Sequence, residues 1–257
     1  FIMSEKGNQA VKTVSFMMLI TLFGKILGMV REQLLAANYG TDMQAAAFLL
    51  ASRIPRTFFD VIFASAISAS FIPVFVEYLQ KKGRQEAFSL ANRFITMIST
   101  VTLLMMLLGM AFAKPLTLLI APGYDVETVT LCVGLLRMLF PTMLFTAVAF
   151  SFVGILQSLE EFNVPAALSV VSNGVLILYY IFFNEKFGIL GLTVAFLIGW
   201  AMQAVIQIPS LWKKGYHYRP DFHFKDEGLR KIGKLMLELA LPSVLAQIVN
   251  VLYNIVD

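Results

Sequence analysis

Charged side chains are sparse in this chain: Asp, Glu, Lys and Arg make up 14% of its 257 residues, against roughly 25% in a typical soluble domain. That scarcity excludes a conventional water-facing surface wrapped around a single core. Cysteine is scarcer still. The one thiol, Cys132, lies inside an apolar run, which excludes a disulfide framework and a cysteine-based metal site and leaves inert packing as its expected role. A phosphate-binding glycine loop, a zinc motif and a nucleophile–base constellation are all missing, so the sequence makes no positive case for catalysis. The two histidines, His217 and His223, sit in a polar segment without an accompanying carboxylate or cysteine cluster and read as loop residues. Adjacent Glu160 and Glu161 read as a solvated turn.

What is present is apolar: 58% of the residues are hydrophobic, and they run in blocks of twenty or more, as membrane helices do. Residues 1–11 are polar, and the apolar run that follows is too long for a signal peptide and lacks a small-residue cleavage site, so it reads as a retained first helix. Crossing ~30 Å of hydrocarbon at ~1.5 Å per residue takes about twenty residues. The expected fold is therefore all-α, a polytopic transmembrane helix bundle. Six full spans, forming one lobe, fall at residues 13–37, 44–79, 87–113, 126–156, 165–183 and 188–212. Residues 213–231 form a basic linker, and 232–257 begin a seventh span interrupted by Pro242. An apolar run that stops at Asp257 is expected to belong to a longer protein, because a helix ending there leaves its last carbonyls unpaired.

Orientation follows from Lys and Arg. With the N-terminus in the cytoplasm, the inner loops hold Lys6, Lys12, Lys81, Lys82, Arg84, Lys213, Lys214, Arg219, Lys225, Arg230, Lys231 and Lys234, and the outer loops only Lys114 and Lys186. The positive-inside rule selects that arrangement.

Ionisable residues inside spans are costly, about 2.5–3.5 kcal/mol each at the bilayer centre on insertion scales, so they demand a reason. The first span holds Lys25, Arg31 and Glu32; the second holds Arg53, Arg56 and Asp60; the fourth holds Arg137. Arg53, Arg56 and Asp60 follow an i, i+3, i+7 spacing and share a helix stripe. Lys25 and Glu32 share a face, with Arg31 on its flank. One reading is internal pairing, Lys25 with Glu32 and Arg56 with Asp60. The other is a hydrated cationic cavity between the first two helices, in which Lys25, Arg31, Arg53 and Arg56 receive an anionic substrate; arginine's planar fork suits phosphate. Pro55 is expected to kink the second helix. Gly24 and Gly28 form a small-xxx-small pair for close helix approach, as do Gly188, Gly191 and Gly199 in the sixth span.

Several strings carry a family likeness. They are Gly24-Lys25-Ile26-Leu27-Gly28-Met29-Val30-Arg31-Glu32; Ser68-Ala69-Ser70-Phe71-Ile72-Pro73-Val74-Phe75 with Glu77-Tyr78; Ala121-Pro122-Gly123-Tyr124; Phe162-Asn163-Val164-Pro165-Ala166 with Asn173; and Gly188-Ile189-Leu190-Gly191-Leu192-Thr193-Val194-Ala195 leading to Gly199. In this order they resemble the MurJ/MviN lipid II flippase family of the multidrug/oligosaccharidyl-lipid/polysaccharide exporter superfamily. The resemblance implies two six-helix lobes plus two further helices, of which this chain carries the first lobe, the linker and the start of the second. It gives Lys25 and Arg31 the places of two first-helix arginines facing a central cavity. It also implies alternating access in a bacterial inner membrane. From the pairing, packing and kink readings above, Glu32 and Asp60 are candidate structural or gating residues beside Gly24, Gly28 and Pro55. The chain departs from the family pattern at Ala46, Phe59 and Ala64, where an aspartate, an arginine and a gating glutamate are usual. Asp257 takes the place of a possible sodium ligand, so the one cofactor to expect is a coupling sodium ion. The implied partners are lipid II and membrane lipids, with no nucleic acid and a monomeric full-length protein. The alternatives are a MATE-type multidrug exporter, a polysaccharide-lipid flippase, a membrane enzyme acting on lipid-linked sugars, or a channel. The positive excess argues against an exporter of organic cations.

Overall fold

The computed structural model describes residues 2–40, 42–59 and 67–256. Those residues are helical throughout apart from short connections, with no strand among them. The helices are α1 (Ile2–Tyr39), α2 (Met43–Phe59), a π-helical turn (Ile67–Phe71), α3 (Ile72–Lys81), α4 (Arg84–Ala111), α5 (Ala113–Ile120), α6 (Val126–Leu139), α7 (Thr142–Ser158), α8 (Asn163–Ala166), α9 (Leu168–Phe182), α10 (Asn184–Val205), α11 (Ile208–Lys213) and α12 (Glu227–Val256). Among the described residues, five stretches are long and apolar enough to cross a bilayer: Val11–Tyr39, Arg84–Ala111, Val126–Ser158, Asn163–Phe182 and Asn184–Lys213. The molecule is a helical transmembrane bundle. The expected second span, 44–79, includes residues 60–66, which lie outside the described ones; α2, the π turn and α3 are its described parts.

Prolines and capping residues explain the segmentation. Asp125 starts α6 by accepting the backbone N–H groups of Glu127 and Thr128 and the Thr128 hydroxyl, the usual satisfaction of unpaired donors at a helix start. Pro141 divides the expected fourth span into α6 and α7, since it has no N–H to continue the ladder. The Thr142 hydroxyl donates to the Leu139 carbonyl at 2.6 Å and keeps the bend satisfied. Pro209 opens α11. Within α10, Gly188 adopts φ 54, ψ −147, a left-handed conformation suited to glycine, and its carbonyl accepts the Tyr179 hydroxyl at 2.6 Å.

The assembly is ordered by close contacts. Helices α1 and α9 run parallel: a Cβ on Gly24 would collide with Ser169, a Cβ on Gly28 would meet Asn173 at 3.4 Å, and Asn184 Nδ2 donates to Asn38 Oδ1 at 2.9 Å. The face of α1 that carries Gly24 and Gly28 is therefore the one packed on α9. Gly199 of α10 approaches the Ser172 backbone on α9 in the same manner, while Gly191 makes room for Tyr179. Helix α2 seats against α6, and α7 occupies the middle between α4 and α10. One core cluster gathers Phe71, Phe75, Leu90, Phe94 and Ile155; the other gathers Phe48, Ile54, Leu136, Phe140 and Leu176, with Cys132 buried among them. Large apolar side chains on α1 and α4, including Met18, Leu19, Leu22, Leu104 and Leu107, remain exposed on the bundle surface, where hydrocarbon rather than water accommodates them.

The segment between α11 and α12 is pinned along α4 as a strap. Tyr216 is fully buried and its hydroxyl donates to Asn92 Oδ1 at 2.8 Å. The Tyr218 and Thr96 hydroxyls lie 3.0 Å apart. Arg93 donates through Nε to Asp221 at 3.0 Å and through Nη1 to Asp226 at 2.8 Å. Lys231 then pairs with Glu77, and α12 begins at Glu227. Burial of Tyr216 raises its phenol above the ordinary range. Of the histidines, His217 stacks on Trp212 and His223 lies 2.6 Å from Asp221. Glu160, at φ 60, occupies the turn after α7.

Candidate cationic site

Four helices line a polar hollow among the described residues: α1, α2, α9 and α10. It has a volume of about 420 Å³ and is lined by Arg31, Glu32, Ser52, Arg53, Arg56, Tyr180, Phe196 and Trp200, among others. Its cationic character comes from two helices. Arg53 and Arg56 are three apart on α2 and emerge on one side, while Ile54 and Pro55 between them are buried. Arg31 enters from α1. Its Nη1 donates to Asn173 Oδ1 and its Nη2 to Glu32 Oε1, each at 3.2 Å. Asn173 in turn donates to the Gly24 carbonyl at 3.1 Å, so a buried amide aims the guanidinium. The Arg31 side chain is 29% exposed and Glu32 71%, which leaves the pair screened by solvent and worth little to stability. Arg53 has no ion-pair partner among the described residues.

Arg31, Arg53 and Arg56 are therefore brought together; Lys25 is not. It lines a separate shallow trough with Val14, Met17, Met18, Thr21 and Leu22, because six residues of helix at ~100° each turn it about 120° away from Arg31. The carboxylate of Glu32 meets Arg31 and not Lys25, whose position seven residues earlier puts it about 10 Å away along the axis. Asp60 and Asp257 lie outside the described residues, as does the expected Arg56–Asp60 pair. Pro55 sits inside α2 and lines a smaller adjoining cavity of about 130 Å³ with Thr142, Thr146 and Trp200. Arg137 stands in the last turn of α6 and donates to the Met110 carbonyl at 3.2 Å, away from the hollow.

The aromatic lining residues Tyr180, Phe196 and Trp200 escaped the sequence reading. The signal was helical spacing. Asn173, Leu176 and Tyr180 fall at i, i+3, i+7 on α9, and Leu192, Phe196 and Trp200 at i, i+4, i+8 on α10, each one stripe. Among the departures from the family pattern, Ala46 is half-buried on α2 and supplies no carboxylate; the Phe59 side chain and Ala64 lie outside the described residues. No group of three or more His, Cys, Asp or Glu gathers among the described residues.

The chain that builds this hollow has matches among known proteins. The family model described as lipid II flippase MurJ matches residues 35–256. A probable lipid II flippase MurJ from Buchnera aphidicola subsp. Acyrthosiphon pisum is 32% identical over 222 residues, covering 85% of this chain and 43% of that protein. The lipid II flippase MurJ of Burkholderia cenocepacia is 26% identical over 75% of this chain and 38% of its own length. Among solved structures, lipid II flippase MurJ in an inward closed conformation superposes with a TM-score of 0.74 at 26% identity, over 91% of this chain and 49% of the other. The bent form of the Vibrio cholerae MATE transporter VcmN gives 0.72 at 15% identity, over 96% and 56%, a likeness of fold alone. The chain thus spans about half the length, or less, of the relatives it matches. With its family model covering most of the sequence, the chain belongs to the lipid II flippase MurJ family.

Proposed function

We propose that this chain supplies the first lobe of a flippase that moves lipid II across the bacterial inner membrane by alternating access. Residues 1–212 are that lobe, 213–231 join it to the second, and 232–257 begin the second lobe. One observation carries the reading: Arg31, Arg53 and Arg56 converge on a single hollow within an apolar bundle. A diphosphate offers oxygens to several planar guanidinium forks at once. The aromatic walls, Phe196, Tyr180 and Trp200, suit the less polar parts of a lipid-linked sugar. Rocking of two lobes exposes such a site to either side in turn, and no covalent step is needed. The membrane potential or a cation gradient drives the cycle. The N-terminus and the basic loops face the cytoplasm.

The test is complementation of cells depleted of their lipid II flippase by the full-length protein. Arg31→Ala and Arg53→Ala should fail to restore growth at wild-type abundance in the membrane, while Lys25→Ala, outside the hollow, should restore it. Growth supported by Arg31→Ala combined with Arg53→Ala would remove substrate capture from this site. A wild-type chain that fails here but restores a polysaccharide-lipid flippase mutant would assign the hollow to that cargo instead.

A further inference from the structure

The strap between α11 and α12 is fixed from within and unused by the transport reading. Tyr216, Tyr218, Asp221 and Asp226 are its inward anchors, held by Asn92, Thr96 and Arg93 of α4. Because both of its carboxylates are engaged by Arg93, what the strap shows outward from Lys213 to Asp226 is basic or aromatic apart from Gly215 and Pro220. Phe222 is 68% exposed and Phe224 42%, and the two rings meet edge to face at 6.0 Å. Arg219 and Lys225 stand exposed on either side of them. Exposed phenylalanines on a well-anchored segment need a covering medium, since each ring left in water forgoes the stabilisation of burial.

Its height on α4 identifies that medium. Arg93 and Thr96 stand where the charged opening turns of α4 give way to its apolar run. The stripe that holds the strap continues two to three turns further as Thr100, Leu103, Leu104 and Leu107, all exposed. A helix face of bare leucines looks onto lipid tails, so the strap above it lies at the headgroup level of the same side. Aromatic rings with flanking Lys and Arg are the combination favoured at that depth, and anionic headgroups attract the cations.

We infer that the Phe222–Phe224 strap, with Arg219 and Lys225, is a membrane-surface anchor that takes anionic phospholipid headgroups at the basic end of the bundle. The inference does not depend on the cargo of the arginine-lined hollow. It is tested in the full-length protein by Phe222→Cys, and separately Phe224→Cys, labelled with an environment-sensitive fluorophore; the unsubstituted protein, whose Cys132 is buried, is the labelling blank. The protein is placed in phosphatidylcholine vesicles containing a small equal share of headgroup-proximal nitroxide on either phosphatidylglycerol or phosphatidylcholine. Quenching should be about two-fold or more stronger with the phosphatidylglycerol nitroxide, and Arg219→Gln with Lys225→Gln should bring the two to equality. Quenching by aqueous iodide but by neither lipid would show the strap facing water. Equal quenching by both lipids without the glutamines would remove headgroup selectivity. Insensitivity to iodide and lipid alike would mean a covering of protein. Any of these three results overturns the inference.

Discussion

Arg31 works through its neighbours. Its guanidinium is aimed by Asn173, whose amide also holds the Gly24 carbonyl, so the helix contact and the cavity cation share one side chain. Asn173→Ala should lower stability by about 1–3 kcal/mol, the cost of leaving a buried partner unsatisfied, and should weaken transport as well. Thermal unfolding of the purified protein beside a flipping assay checks both. At Gly24 the argument is steric. Gly24→Ala drives a methyl into Ser169, an overpacking that costs about 1–3 kcal/mol, and Ser169→Gly in the same chain should restore most of the loss. If Gly24→Ala alone melts like the wild type, the α1–α9 contact is looser than described. The residue types at these positions were legible in the sequence. The partner of α1 was not, because a small-residue stripe announces that something comes close and says nothing of which helix does.

At the scale of elements, spans were readable from apolar length and their interruptions were less so. Pro141 splits a span that composition alone runs together, and α3 follows a π-helical turn where a single kinked helix was expected. The strap's anchoring was the larger omission. Its charges read as a basic cytoplasmic linker facing anionic headgroups, and nothing in them showed how it is held: Arg93 lies within an apolar helix and meets two carboxylates more than a hundred residues away, a pairing that no local pattern encodes. Arg93→Ala should release the strap, giving markedly faster tryptic cleavage after Lys214 and Lys225 in detergent-solubilised protein; Arg93→Lys should recover part of the protection. Hydrogen bonds from the His223 backbone and ring, then Arg93, pull the Asp221 carboxyl down to about 2 from 3.8. A group whose folded value is depressed stabilises the fold above its unfolded value and loses that contribution as pH falls through the folded one. The Asp221 contribution is therefore complete at neutral pH, begins to fall near 3.8 and disappears through about 2. Cleavage rates corrected for protease activity should be flat above that window; a strap that loosens between neutral pH and mild acidity would contradict the Asp221 assignment.

For the whole molecule, the bundle's basic end gathers the strap, the Lys231–Glu77 pair and the turn at Gly83, and the far end closes where Tyr39 and Asn38 meet Asn184. Single cysteines introduced at Lys82 and Lys213 should react with a membrane-impermeant maleimide only from the cytoplasmic side of sealed vesicles. Those at Gly40 and Tyr124 should react only from outside. The reverse pattern would invert the proposed orientation. The parallel seam of α1 with α9 also bears on how a captured anion is set free. Since Arg31 hangs from that seam through Asn173, any motion that keeps the two helices zipped keeps this guanidinium pointed inward. In the proposed cycle, letting go of a phosphate then falls to the facing wall, with α2 drawing its two arginines back while the α1 side stays still.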